Sequence, residues 1–289
     1  MYFFCFFVTI NQPCITKMIK PFRRAWKNCS QSVCSIRFFN GNDIEIITLT
    51  GFKLGGYIFT NDLVNKIQKV EFVEIKFVKD DGHTTSAFER LSMHDFMERI
   101  ITTYDAEITG FAVINTTDLA FDSIPTLSLA RKRNLSIGNP VAVIGFQYDT
   151  PNLAMKSGII STFLYHNSKR YIQFDGSIIW GNSGSPLISP DKGEVLGIIG
   201  YHLDRKYKTY EKMLEISRNN IKLLEQALGK FDVSGVDPIQ VLIAWEKQIK
   251  QLAGEVYKAS FSGIGVAVDA KVMRQLLKSS EITLPEQAV

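Results

Sequence analysis

From about residue 33 to 203 the chain is a succession of short apolar or alternating runs separated by turn signals, and this pattern constrains its fold most. The runs 33–39, 57–60, 70–78, 111–114, 141–144, 158–163, 171–174 and 195–201 are each long enough for one strand and too short for a helix that buries a face. Many short strands at this spacing predict a mostly β architecture, a barrel or sandwich rather than an α/β fold. Residues 86–101 read as a helix interrupting them. After residue 204 the pattern changes: Leu214, Ile221, Leu224 and Leu228 have helical spacing, with Gly229 suited to close the helix. Asp237-Pro238 then reads as an N-cap followed by proline at the first helical position. That second helix carries Val241, Leu242, Trp245, Ile249, Leu252 and Val256 on one side and ends near Lys258. A strand over 263–268 and a closing helix over 271–278 follow, so a helical hairpin is inserted between the last strands of a β domain.

Within this frame the segment Gly181-Asn182-Ser183-Gly184-Ser185-Pro186-Leu187 carries chemistry. A serine hydroxyl attacking a carbonyl needs backbone N–H groups aimed at the oxyanion that forms. Gly181 and Gly184 allow a tight turn that gathers the N–H groups of Gly181 and Ser183 around one point. An ordinary Gly/Ser/Pro turn has the same composition, so the flanks decide between the two.

The flanks resemble the trypsin-like serine proteases, particularly the HtrA/Deg-type branch. Ile137-Gly138-Asn139-Pro140-Val141-Ala142-Val143-Ile144-Gly145 resembles a strand leading into the second barrel, and Ser157-Gly158-Ile159-Ile160-Ser161 the next one. Tyr171-Ile172-Gln173-Phe174-Asp175-Gly176 resembles the approach to the nucleophile, which is Ser183 in this resemblance, with Gly181 supplying the oxyanion hole. Gly193-Glu194-Val195-Leu196-Gly197-Ile198-Ile199-Gly200 resembles the strand that walls the substrate cleft, and Ser262-Gly263-Ile264-Gly265-Val266-Ala267 the final strand. The fold implied is a trypsin-like double six-stranded β-barrel with an inserted helical hairpin and a C-terminal helix. Its divisions would be an N-terminal tail (1–30), a first barrel (31–124) and a second barrel (125–289) holding the hairpin at about 205–258.

The resemblance also extends to Thr50-Gly51-Phe52-Lys53-Leu54-Gly55-Gly56-Tyr57-Ile58-Phe59-Thr60-Asn61, which is similar to the strand pair that ends at the catalytic histidine. The histidine position then holds Leu63. The family's aspartate opens an apolar strand, and the best match, Gly110-Phe111-Ala112-Val113-Ile114, puts Gly110 there. A second alignment uses Asp118-Leu119-Ala120-Phe121 and keeps an aspartate. Leucine accepts no proton, and a serine hydroxyl is a weak nucleophile until a base takes its proton. The candidates for a substitute base are His83, His94 (beside Asp95), His166, His202 and Asp62. Substrate-binding positions implied by the resemblance are Ser177 at the base of the primary pocket, Gly200, Tyr201 and His202 on the cleft wall, and Gly263. Ser177 is not acidic, which speaks against selection of Lys or Arg side chains and for a small or apolar residue. Two functions follow. One is an impaired or inactive protease homologue that binds peptide or protein partners. The other is an active serine endopeptidase with a relocated or partner-completed base.

The remaining composition bounds the partners. A net charge of +4 with dispersed cations argues against nucleic acid. All four cysteines (Cys5, Cys14, Cys29, Cys34) lie in the first 34 residues, which favours a reducing, cytoplasmic compartment over a disulfide-framed secreted fold. No CxxC spacing or His-rich tract indicates zinc, and no cofactor is expected. Residues 2–10 form an apolar run too short to span a bilayer and without the flanks of a signal peptide. Export or membrane contact through that run stays open, as does Met18 as an alternative start.

Overall fold

The early apolar runs pair into a sheet whose central strands are buried on both faces, and in the computed structural model that sheet is built from seven strands. The structure describes residues 12–104, 109–131, 135–147, 150–200, 205–231, 233, 235–259, 263–280, 282 and 284. Helix α1 (Gln12–Cys29) leads into β1 (Val33–Phe39), β2 (Glu45–Leu54), β3 (Tyr57–Asn61), β4 (Phe72–Val78) and β5 (Thr85–Ser92). A short helix α2 (Met93–Glu98) connects these to β6 (Ile100–Tyr104) and β7 (Phe111–Asn115). The antiparallel order is β5-β4-β1-β2-β3-β7-β6. Its two edges, β5 and β6, are consecutive in the chain, and α2 bridges them with Phe96 wholly buried, edge-on to Phe38. The helix expected over 86–101 is therefore a strand, six helical residues and a second strand. The spacing of Ala87 and Leu91 fits either form, and pairing of β5 along the whole of β4 decides it.

The second half is a closed barrel in the order β10-β13-β12-β11-β8-β9. Its strands are β8 (Pro140–Gln147), β9 (Thr150–His166), β10 (Lys169–Asp175), β11 (Pro186–Ile188), β12 (Val195–Ile199) and β13 (Ile264–Asp269), closed by helix α5 (Ala270–Ser279). Asn167 and Ser168, both at positive φ, make the two-residue turn between β9 and β10, the twist that suits a tight hairpin. The expected mostly β, trypsin-like architecture is thus present as a closed six-stranded barrel joined to a seven-stranded sheet.

Residues 12–29, within the expected N-terminal tail, are helical. Ala25 and Cys29 of α1 are buried, with Phe22 and Trp26 packed against the same core. The Trp26 indole donates to the Asp80 carbonyl at 2.8 Å. The apolar run 2–10 lies outside the described residues. No described helix is long and apolar enough to cross a membrane.

Residues 202–262 form a separate compact unit. Its helices are α3 (Arg205–Glu225) and α4 (Pro238–Ala259), as the periodicity predicts. Gly229 has φ +74°, and the Asp237 carboxylate accepts from the N–H groups of both Ile239 and Gly229, so one side chain caps α4 and ties the loop before it. Ser217 and Asn220 of α3 bond Glu246 of α4, and Ile239, Ile243 and Ala253 are buried. The sequence-predicted side carrying Val241, Leu242, Trp245, Leu252 and Val256 is exposed.

Candidate active site

The serine loop is held by the first sheet as much as by its own barrel. Thr50 of β2 donates its N–H to the Ser183 carbonyl at 2.9 Å and its hydroxyl to the Gly181 carbonyl at 2.7 Å. The same hydroxyl accepts from the Phe146 N–H of β8. Gly181 and Gly184 sit at φ +93° and +87°, as their turn requires. A Cβ on Gly184 would lie 2.0 Å from the Thr50 carbonyl oxygen and 2.7 Å from the Thr60 hydroxyl. Only glycine lets the two halves approach this closely. Asn182, wholly buried, accepts from Lys156 Nζ at 2.7 Å and the Ile179 N–H at 3.1 Å, and donates to the Phe146 carbonyl at 2.8 Å. Gly184 donates to the Ile199 carbonyl, which fixes the loop to β12.

This scaffold leaves three groups uncommitted. The Ser183 side chain is half-buried, and its hydroxyl meets no hydrogen-bonding partner among the described residues. Neither the Gly181 nor the Ser183 N–H donates to a described acceptor. Acyl transfer through a serine uses such a hydroxyl to attack the carbonyl and two neighbouring N–H donors to stabilise the tetrahedral oxyanion.

The opposite wall is filled. Asn61 ends β3; its side chain accepts from the Leu63 N–H at 3.0 Å and donates to the Gly110 carbonyl at 3.1 Å. That capping interaction starts the turn 62–65 and turns Leu63 into the apolar core of the first sheet, against which its side chain packs. Asp62, buried, pairs with Lys66 at 3.1 Å. A Cβ on Gly110 would lie 1.9 Å from the Tyr104 carbonyl oxygen and 2.9 Å from Asp62 Cγ. A Cβ on Gly200 would fall 1.4 Å from Thr109 Oγ1, a buried hydroxyl with no partner among the described groups. Asp62 and Thr109 therefore occupy the space beside Gly110 and Gly200. Sequence reasoning did not single out Thr109 and saw in Asp62 only a potential base, because the packing of both depends on strands far away in the chain.

Asp118 lies elsewhere on the surface. It accepts from both terminal nitrogens of Arg99, at 2.5 and 2.8 Å, and this pairing holds its carboxyl below the usual carboxylate range. His83 is in an exposed turn with Asp81, and His94 sits on the exposed side of α2 facing Asp95 and Glu98. His94, Asp95 and Glu98 form the one metal-type grouping found among the described residues, all three exposed. His166 ends β9 opposite Lys169. No described histidine bonds to Ser183. Tyr201 and His202 lie outside the described residues. Gly263, at φ +70°, accepts from the Gly176 N–H at 2.7 Å and so draws the segment before the serine loop onto β13. Ser177 on that segment is exposed. Its neighbour Ile178 is buried with Phe174 against Gly265, where a Cβ would meet Phe174 Cζ at 2.2 Å.

Comparison with known proteins bears on this arrangement. A family model described as a trypsin-like peptidase domain matches residues 50–198. Serine protease HTRA1B of Danio rerio is 38% identical over 111 residues, 34% of this chain and 22% of that protein. Mitochondrial serine protease HTRA2 of Bos taurus is 34% identical over 110 residues, 33% of this chain and 23% of that protein. The solved HtrA-type protease AlgW with tripeptide superposes with a TM-score of 0.54 at 16% identity, covering 89% of this chain and 62% of the other. The fold is that of the HtrA-type trypsin-like proteases, and the matched segment spans under a quarter of either curated relative's length.

Proposed function

The chain belongs to the trypsin-like peptidase domain family, and on that premise we propose that it is an HtrA-type member that binds a peptide or protein partner with its hydrolytic activity impaired. The observation that carries this reading is the apolar packing of Leu63 at the position where the resemblance sets the general base. Beside it, Gly110 has no side chain to orient a base, and its surroundings are occupied by Tyr104 and Asp62. Without a base, what is left to such a site is binding and the oxyanion donors. In serine proteases stripped of a triad member that residue of catalysis is on the order of 10³–10⁴-fold over water. The open serine loop would serve as a receptor for a substrate carbonyl. The exposed apolar side chains of α4, Trp245 and Leu252 among them, offer a second surface for a protein partner.

The same open loop favours a second reading, an active serine endopeptidase with its base supplied from elsewhere. Ser183 Oγ and the two N–H groups have no hydrogen-bonding partner among the described residues, which leaves them able to act once a base arrives.

Labelling of the purified chain with a fluorophosphonate probe tests the choice. The impaired reading expects no Ser183-dependent labelling at rates above a small-molecule serine ester. Robust labelling that vanishes in Ser183→Ala would overturn it. A Leu63→His variant that also stays unlabelled would sink the endopeptidase reading.

A further inference from the structure

Among the described residues, six cations line one cleft of the second barrel, and a single carboxylate accompanies them. The cleft, about 740 Å³ in volume, lies between the β9–β10 turn, the segment around residue 130 and helix α5. Its cations are Arg131, Lys169, Arg170, Lys271, Arg274 and Lys278; its carboxylate is Asp269. Six against one leaves a surplus of five, larger than the +4 of the whole chain. Like charges gathered in a concavity repel, and low-dielectric walls focus their field, so the arrangement is relieved by an anion.

We propose that this cleft is a binding site for an organic polyanion, a small group bearing two or more phosphates. Half of the cations are fixed in place before any ligand arrives. Arg170 is held by Asp269 at 2.7 Å and stacks over the Phe163 ring at 4.9 Å. Arg274 donates to the Ala130 carbonyl. Lys169 lies over the Tyr104 ring at 4.2 Å. Arg131, Lys271 and Lys278 form no ion pair among the described residues, and Arg131 and the two lysines are exposed. Preorganised guanidinium groups with uncommitted cations around them match the fork geometry and charge of phosphate. The volume lies within the range of small-molecule sites and is far more than one phosphate needs. The start of α5 opens on the same cleft and adds the positive end of a ten-residue helix.

The site is separate from the serine loop. β10 runs from Lys169, at the cleft, to Asp175, just before the serine loop, and β13 returns antiparallel from Ile264 to Asp269. At about 3.3 Å per residue the two ends stand roughly 20 Å apart. The proposal is thus independent of whether Ser183 reacts.

Isothermal titration of the full chain with inositol hexakisphosphate in 50 mM salt tests it, alongside sedimentation with phosphatidylcholine vesicles containing phosphatidylinositol bisphosphate. Binding of the soluble probe alone assigns a soluble ligand, and binding of vesicles alone assigns a membrane headgroup; either supports the site. The double variant Arg131→Glu, Lys271→Glu, both on exposed side chains, changes the lining to four cations against three carboxylates. It is expected to keep the parent melting temperature and to lose at least about tenfold in affinity, the scale of one or two charge-assisted contacts. Raising the salt to 300 mM is expected to weaken binding by screening. Absence of binding to both probes, or binding unchanged in the double variant, would overturn the proposal.

Discussion

Replacing Gly110 by aspartate returns a carboxylate to the position where the resemblance sets the acid, and the structure sets the outcome. A Cβ there would be 1.9 Å from the Tyr104 carbonyl oxygen, a backbone atom that cannot swing aside, and 2.9 Å from Asp62 Cγ. Overpacking of this kind costs about 1–3 kcal/mol, and a backbone obstacle puts this case at the upper end. Gly110→Ala should therefore lose about 3 kcal/mol. Aspartate adds a second carboxylate next to Asp62. At about 4 Å and an effective dielectric near 20, two like charges repel by about 4 kcal/mol, which the Lys66 ammonium paired to Asp62 reduces. Gly110→Asp is thus expected to be less stable than Gly110→Ala by a further 1–3 kcal/mol or so, out of a total stability of about 5–15. Urea denaturation of both variants at pH 7 reads the difference. The sign with pH follows from the pairing: crowded carboxylates take up a proton more readily in the folded state, so the gap between the variants should narrow as the pH falls toward about 5. A Gly110→Asp protein within about 1 kcal/mol of the parent would refute the filled-socket argument.

Three further outcomes are expected. Gly184→Ala places a Cβ 2.0 Å from the Thr50 carbonyl at φ +87°, and should lower stability by about 3 kcal/mol or more, seen as a fall in melting temperature. Asn182→Ala removes three hydrogen bonds, one buried and two part-buried, and leaves the Lys156 ammonium and the Phe146 carbonyl without that partner; calorimetry should show a loss of about 3 kcal/mol. Burial pushes the Cys29 thiol up to about 11, and Cys34 is raised in the same direction by the same cause. Raised folded-state values give stability that is complete below about pH 9 and lost as the pH rises through 11. The urea midpoint should therefore be lower at pH 10.5 than at pH 8, and the slope should flatten in Cys29→Ala.

What the chain discloses in order is what is local in it. β1 could be read to the residue from its apolar run, and the start of α4 from Asp237-Pro238, because caps and periodicity act over a few positions. The serine loop was legible for the same reason. β5 was not, since an edge strand with Ala87 and Leu91 four residues apart carries a helical spacing that only its neighbour β4 overrules. Lys53, to which the sequence gives no role, is buried, donating to the Phe121 and Ile124 carbonyls, and desolvation lowers its pKa. Asp62 against Gly110 and Thr109 against Gly200 are contacts between segments far apart in the chain, at the ends of strands, set by the folded sheet rather than by any motif. The half of the site that is a loop was therefore visible, and the half that is a packing arrangement was not.

The bonds from Thr50 have a bearing on how a motif of this kind endures. Gly181, Ser183 and Gly184 are where the two halves of the molecule are fastened: carbonyls of the loop accept from the first sheet, and the bare α-carbon of Gly184 is the gap through which the sheets touch. Cutting the chain between the halves would deprive the loop of one wall, so neither half should assemble it alone. The glycines answer to this joint whatever the serine does. A lineage that lost the reaction would still be obliged to keep the spelling around it, and the motif by itself is a record of masonry before it is a record of chemistry.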